Sequence, residues 1–158
     1  MASLPAMIDA YLAGTQTLRQ AVAGMSPEHA RARPVPGKWS TLEVVCHLAD
    51  SDQAWTFRMK RVIAEDRPLL IGYDESRFAQ ALGYQERDLE RELAFLEQTR
   101  RQMAQVLRRL PAEAFARTGV HSERGLCTLE QMLQIEIDHL PHHVRFILDK
   151  RKALGLPT

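Results

Sequence analysis

Gly37-Lys38-Trp39-Ser40-Thr41-Leu42-Glu43-Val44-Val45-Cys46-His47-Leu48-Ala49-Asp50 is the stretch on which the reading of this chain turns. Ser40 and Glu43 stand three residues apart in the pattern of a capping box, in which each side chain satisfies a backbone N–H that the first helical turn leaves free. A helix therefore begins at Ser40 or Thr41. Immediately upstream, Arg33-Pro34-Val35-Pro36-Gly37 forbids regular structure, because each proline fixes its backbone and lacks an N–H. Downstream, Val44, Leu48, Trp55, Met59 and Val62 recur at the helical period to about Asp66, before Pro68. His47 lies close to this apolar stripe, where an imidazole with two polar nitrogens needs partners.

Three more segments carry the same period. One runs from about Ala6 to Gly24 with Met7, Tyr11, Leu18 and Val22 on one stripe, and Ser26-Pro27 then starts a short turn or helix. Another places Leu89, Leu93, Leu96, Met103, Val106 or Leu107, and Leu110 on one face and ends at Pro111. The last opens with a second capping-box pair, Thr128 and Gln131, and runs through Leu129, Met132, Leu133, Leu140, Val144 and Ile147 to near Gly155. Lys150-Arg151-Lys152 suits the negative end of that helix. Residues 69–85 are too long for a bundle turn, and no strand-like alternation persists anywhere. The expected architecture is all-α: a single domain over residues 1–158, a four-helix bundle with one long crossover connection.

Bulk properties narrow the function. The 158 residues hold 21 Lys+Arg against 20 Asp+Glu, a formal net charge of +1, which offers no electrostatic case for nucleic acid or an anionic membrane surface. No apolar run approaches the roughly 18 residues of a membrane span, and no signal-peptide segment is visible. Cys46 and Cys127 lack CxxC spacing and form no disulfide framework, which fits a reducing cytoplasm. Cys46 reads as a small core residue, and Trp39 and Trp55 as core anchors.

The histidines carry the chemistry. His139 and His143 are four residues apart, so their rings share one helix face a single turn apart, the spacing by which a helix offers two imidazoles to one ion. With His47 on another helix, the spacing leaves two readings open: a shared metal, or core histidines that satisfy one another. His142 competes with His143 for the same role but points about 100° away from it. Pro141 lies between the pair, cannot donate to the carbonyl of Ile137, and should bend the helix.

Residues 37–50, with their Trp-Ser-Thr start and His-Leu-Ala-Asp step, resemble the second-helix signature of the DinB superfamily. Asp138-His139-Leu140-Pro141-His142-His143-Val144-Arg145-Phe146-Ile147 is similar to that family's His-x-x-x-His motif on the last helix. The order and separation of the motifs and the chain length agree as well. The resemblance implies a four-helix bundle with His47, His139 and His143 around a divalent ion, usually nickel, zinc or iron. It implies a metal-dependent hydrolase, or a transferase or isomerase that uses a low-molecular-weight thiol, acting on a small molecule; family members of this kind pair as homodimers. A binding module without catalysis is the other class.

Three neutral imidazoles would leave the ion an open position, whereas structural zinc sites normally close with four protein ligands. Asp50, one turn after His47, is the expected catalytic carboxylate, either orienting the ligand's far nitrogen or acting as general base; Glu136, one turn before His139, is the second candidate. Ser51 and Ala54 are small enough to leave room for a substrate. His121 is expected in an exposed loop, with the pocket mouth as its other place.

Overall fold

The computed structural model describes residues 2–157. Its elements run α1 (Leu4–Val22), α2 (Pro27–Arg31), α3 (Thr41–Ala64), β1 (Leu69–Leu70), α4 (Glu75–Ala81), α5 (Leu89–Leu107), β2 (Thr118–His121), β3 (Gly125–Thr128) and α6 (Leu129–Ala153). Both capping boxes form. The Glu43 N–H donates to Ser40 Oγ at 3.1 Å and the Ser40 N–H to Glu43 Oε2 at 2.7 Å. Thr128 and Gln131 repeat the exchange at 3.1 and 2.9 Å. These boxes fix where α3 and α6 begin, and so the height at which each presents its histidines.

The expectation of no strands is corrected by a small three-stranded sheet, in which β1 runs parallel to β2 and β2 antiparallel to β3. Strands of two to four residues are too short to show an alternating pattern in sequence. The crossover between α3 and α5 is also more regular than expected, holding β1, α4 and a 3₁₀ turn at Tyr84–Glu86. The α6 helix continues through Pro141, which sits inside it.

The pairing of the long helices decides the site. α1 packs against α5 and α6, and α3 packs against the same two, so α1 and α3 lie across one diagonal and α5 and α6 across the other. α3 and α6 are thereby neighbours, which brings residue 47 to residues 139 and 143.

The core falls into two apolar clusters. One centres on Met7, Trp55, Met59, Met103, Leu107 and Met132, the other on Leu18, Val44, Leu48, Leu96, Leu140 and Ile147. Between them lies a polar layer in which the Arg100 guanidinium bonds Asp52 at 2.8 and 3.1 Å and the carbonyls of Tyr11 and Glu136 at 2.8 and 3.1 Å. Arg100, Asp52 and Glu136 are each fully buried. Burial and the neighbouring Asp52 push the Glu136 carboxyl well above its usual range. Gly14 faces this layer because a Cβ there would come within 3.0 Å of Arg100 Nη1. No helix among the described residues is long and apolar enough to cross a membrane.

Candidate metal centre

His47, His139 and His143 converge. One ring nitrogen from each lies within 4.8 Å of the others, and His47 Nε2 is 3.3 Å from His139 Nε2. A tetrahedral ion with metal–nitrogen distances of about 2.0–2.1 Å has edges of about 3.3 Å, so this separation is that of two ligands on one such ion. The His139 and His143 rings meet edge to face with centroids 4.6 Å apart, and those of His47 and His143 are tilted by 56° with centroids 4.7 Å apart. His142 stays outside; it is exposed, and its Nδ1 meets an Arg145 nitrogen at 3.0 Å.

The site is prepared for a cation by its protonation state. Burial first, then the neighbouring imidazoles, pushes His139 down to about 3; burial and His47 do the same to His143. Burial also lowers His47, against an opposing pull from Glu75. All three rings are therefore neutral at pH 7, which is the form that ligates a metal.

The Nδ1 atoms of the three rings are buried and have no hydrogen-bond partner. No carboxylate orients them from behind, so their positions come from packing, notably Trp39 against His47 with centroids 5.3 Å apart. Asp50, expected to serve the metal centre, bonds residues of the crossover. Its Oδ2 accepts from the Tyr84 hydroxyl at 2.7 Å and its Oδ1 from Arg87 Nη1 at 3.0 Å, so both oxygens are committed to the crossover. Glu136 likewise belongs to the polar layer, 3.6 Å from Arg100. His121 is not on an exposed loop: it is buried at the end of β2 and stacks on Trp55, rings 14° from parallel and 5.4 Å apart.

The triad is not sealed. His143 lines a cleft of about 260 Å³ walled by Trp39 and Phe146, with Lys38 and Lys150 at its sides. His139 lines a second, shallow groove with Pro141, His142 and Arg145. Only His47 is fully buried. His139 and His143 each line an open cleft, so the triad is reachable from solvent on those two sides.

Two surroundings escaped the sequence reading. Arg58 and Tyr73 border a small cavity along α3 from His47. Only the first left a trace in the sequence, as a basic residue one position before the buried Met59.

Comparison with known proteins agrees with this geometry. The sequence profile of the DinB superfamily matches residues 10–147. YfiT of Bacillus subtilis, whose name gives metal-dependent hydrolase as a provisional assignment, is 29% identical over 139 residues, covering 87% of this chain and 78% of that protein. A similarly named protein of Oceanobacillus iheyensis is 30% identical over 137 residues, covering 85% and 79%. The solved structure of YfiT, described as having an unusual four-helix bundle topology, superposes with a TM-score of 0.91 over 99% of this chain and 92% of that one, at 26% identity. A mycothiol-dependent maleylpyruvate isomerase shares the fold, with a TM-score of 0.73 over 91% of this chain and 60% of that one, at 12% identity.

Proposed function

The chain belongs to the DinB superfamily, and on that premise we propose that it is a metal-dependent hydrolase of small molecules, holding one divalent ion through His47, His139 and His143. The observation that carries the proposal is the convergence of three neutral imidazoles, two of which line open clefts. A divalent ion on three neutral ligands keeps its full charge, lowers the pKa of a bound water to about 7 and polarises a carbonyl oxygen.

The chain's own residues do the remainder. Trp39 holds the His47 ring and, with Phe146, shapes the cleft through which a substrate reaches His143. Among the nearby carboxylates, Glu75 exerts the largest charge effect on His47 and takes part in no ion pair among the described residues. The two cysteines are free and buried, and burial pushes Cys46 up to about 12, which supports work in a reducing cytoplasm.

The test is a screen of metallated protein against small esters and amides, run with and without added small thiols. Turnover should disappear in His47→Ala, together with the bound metal. Activity surviving in fully demetallated His47→Ala defeats the metal assignment. Turnover that requires the added thiol replaces the hydrolase with a thiol transferase.

A further inference from the structure

The fold buries three arginines, and two of them are accounted for. Arg100 is neutralised by Asp52. Arg151 spends its donors on the carbonyls of Ala21, Ala23 and Pro157, closing the end of α1. Arg58 is different. It is 6% exposed, has no carboxylate within ion-pair distance among the described residues, and donates to a single carbonyl, Ile71 O at 2.6 Å. A buried guanidinium normally has a counter-charge, because desolvation without one is costly.

Arg58 borders a cavity of about 70 Å³ between α3, the crossover and the β2–β3 hairpin. That is room for about two waters, or one carboxylate group. The guanidinium lies over the Trp55 ring, 4.9 Å from its centroid, and 5.9 Å from that of Tyr73. The Tyr73 hydroxyl is itself buried and without a partner. Burial pushes it up to about 12, so it remains a donor. The Arg58 guanidinium and the Tyr73 hydroxyl, the latter in reach of Ser51, therefore border one small space. Glu75, Glu123 and Arg124 also line it, but all three are exposed and screened by solvent, so the buried Arg58 sets the sign of the field.

We propose that this cavity is the substrate's anchor: Arg58 and Tyr73 bind a carboxylate carried by the molecule that the metal centre acts on. The assignment of a substrate to the triad rests on the preceding reading; the anion site itself does not. Ser51, one turn beyond His47 on the same face of α3, lines the cavity and links the two places. Eleven residues of helix separate His47 from Arg58, about 16 Å of axial rise. The Arg58 side chain leans back over Trp55 toward the triad and shortens that gap. A substrate spanning it carries its carboxylate many bonds from the reacting group, so a short acylated amino acid reaches the anchor alone and serves as a probe of that site. The exposed glutamates at the rim disfavour a dianion, which separates a carboxylate from a phosphate.

The probes are N-acetylglycine, its neutral amide and methyl phosphate, titrated into chelator-treated full-length protein while the Trp55 indole N–H resonance is followed. N-acetylglycine should shift that resonance, and the amide should bind at least about tenfold more weakly. Arg58→Gln should weaken the acid by about 10–100-fold, Arg58→Lys by less, and Tyr73→Phe by a few-fold with the fold intact. Equal binding of acid and amide, or unchanged acid binding in both Tyr73→Phe and Arg58→Lys, overturns the proposal. Methyl phosphate binding more tightly than N-acetylglycine overturns the carboxylate assignment. His143→Ala keeps the two readings apart: it should lose the metal yet bind the acid as well as the wild type does. A wild type that binds the acid but takes up no ion when metal is added back sinks the metal centre and leaves the anchor standing.

Discussion

Two polar clusters sit inside one bundle, and they are finished differently. In the Arg100 layer, charge meets charge: the guanidinium bonds one carboxylate and two carbonyls, and nothing reaches solvent. In the histidine triad the rings are neutral, the three Nδ1 atoms lack partners, and two of the rings line open clefts. Both clusters draw on α3 and α6, and both interrupt an apolar stripe. Burial of polar groups therefore does not distinguish a structural layer from a functional site. Access does: the two Glu136 carboxyl oxygens also lack a hydrogen-bond partner but are sealed in, whereas two of the imidazoles line open clefts.

The comparison predicts opposite responses to substitution. Arg100→Ala leaves the Asp52 carboxylate buried and unpaired, so it should destabilise the protein by about 3–5 kcal/mol, read by denaturant melts. Replacing Arg100, Asp52 and Glu136 together with apolar residues of similar volume should recover most of that loss, with the metal titration unaltered. A triple variant that folds but no longer binds metal would join the layer to the site and collapse the distinction.

The triad should behave the other way, contributing through what it binds. Metal held only by the native state adds about 2.7 kcal/mol when free metal is a hundredfold above its dissociation constant. A chelator should lower the melting temperature accordingly, and His143→Ala should abolish that response while His142→Ala retains it. A response kept by His143→Ala and lost by His142→Ala would move the third ligand.

Acidity provides a further contrast. In the metal-free protein His139 and His143 have native values near 3, below the ordinary value of 6.5, so between those limits the unfolded chain binds more protons than the native one. Stability is then complete above about pH 6.5 and falls as the pH drops toward 3. A His139→Gln variant should show a shallower decline in pH-dependent melts; an unchanged slope would place the acid sensitivity elsewhere. The polar layer titrates with the other sign, since the raised Glu136 carboxyl holds its proton in the native state.

Much of this was legible in the sequence. Two capping boxes and four apolar stripes give the helices, and the His-x-x-x-His spacing gives one side of the triad. The diagonal pairing that brings α3 beside α6 has no local signature; the family resemblance implied only its result, the ligand set His47, His139 and His143. The polar layer did leave a signal that the stripes overlooked. On α5, Leu93, Leu96, Arg100, Met103 and Leu107 follow one seam, with arginine at a core position. Asp52 and Glu136 interrupt the seams of α3 and α6 in the same way. Charged residues on three core seams are better read as one buried cluster than as three exceptions. The anion cavity had no such signal, because Tyr73 arrives from the crossover and Arg124 from a hairpin too short to recognise.

The smallest effect belongs to Asp50, and it is the sharpest test of what proximity in sequence means. One helical turn from His47 is where a carboxylate would orient the ring or take a proton, and general-base help is worth about 10²–10⁴-fold. The observed bonds run elsewhere, to the Tyr84 hydroxyl and Arg87, while His47 Nδ1 has no partner. Asp50→Asn keeps an acceptor for Tyr84 and removes only the charge facing Arg87. That ion pair is partly exposed, with 10% and 28% of the two side chains accessible, which limits its value to about 1 kcal/mol. The melting temperature should therefore fall by about 2–4 °C. Metal affinity, measured by competition with a chelator, should stay within about threefold, because no second partner of a ligand has been lost; such a loss typically costs 10–100-fold. A tenfold drop in affinity at unchanged stability would return Asp50 to the metal centre and show that the crossover holds it in reserve.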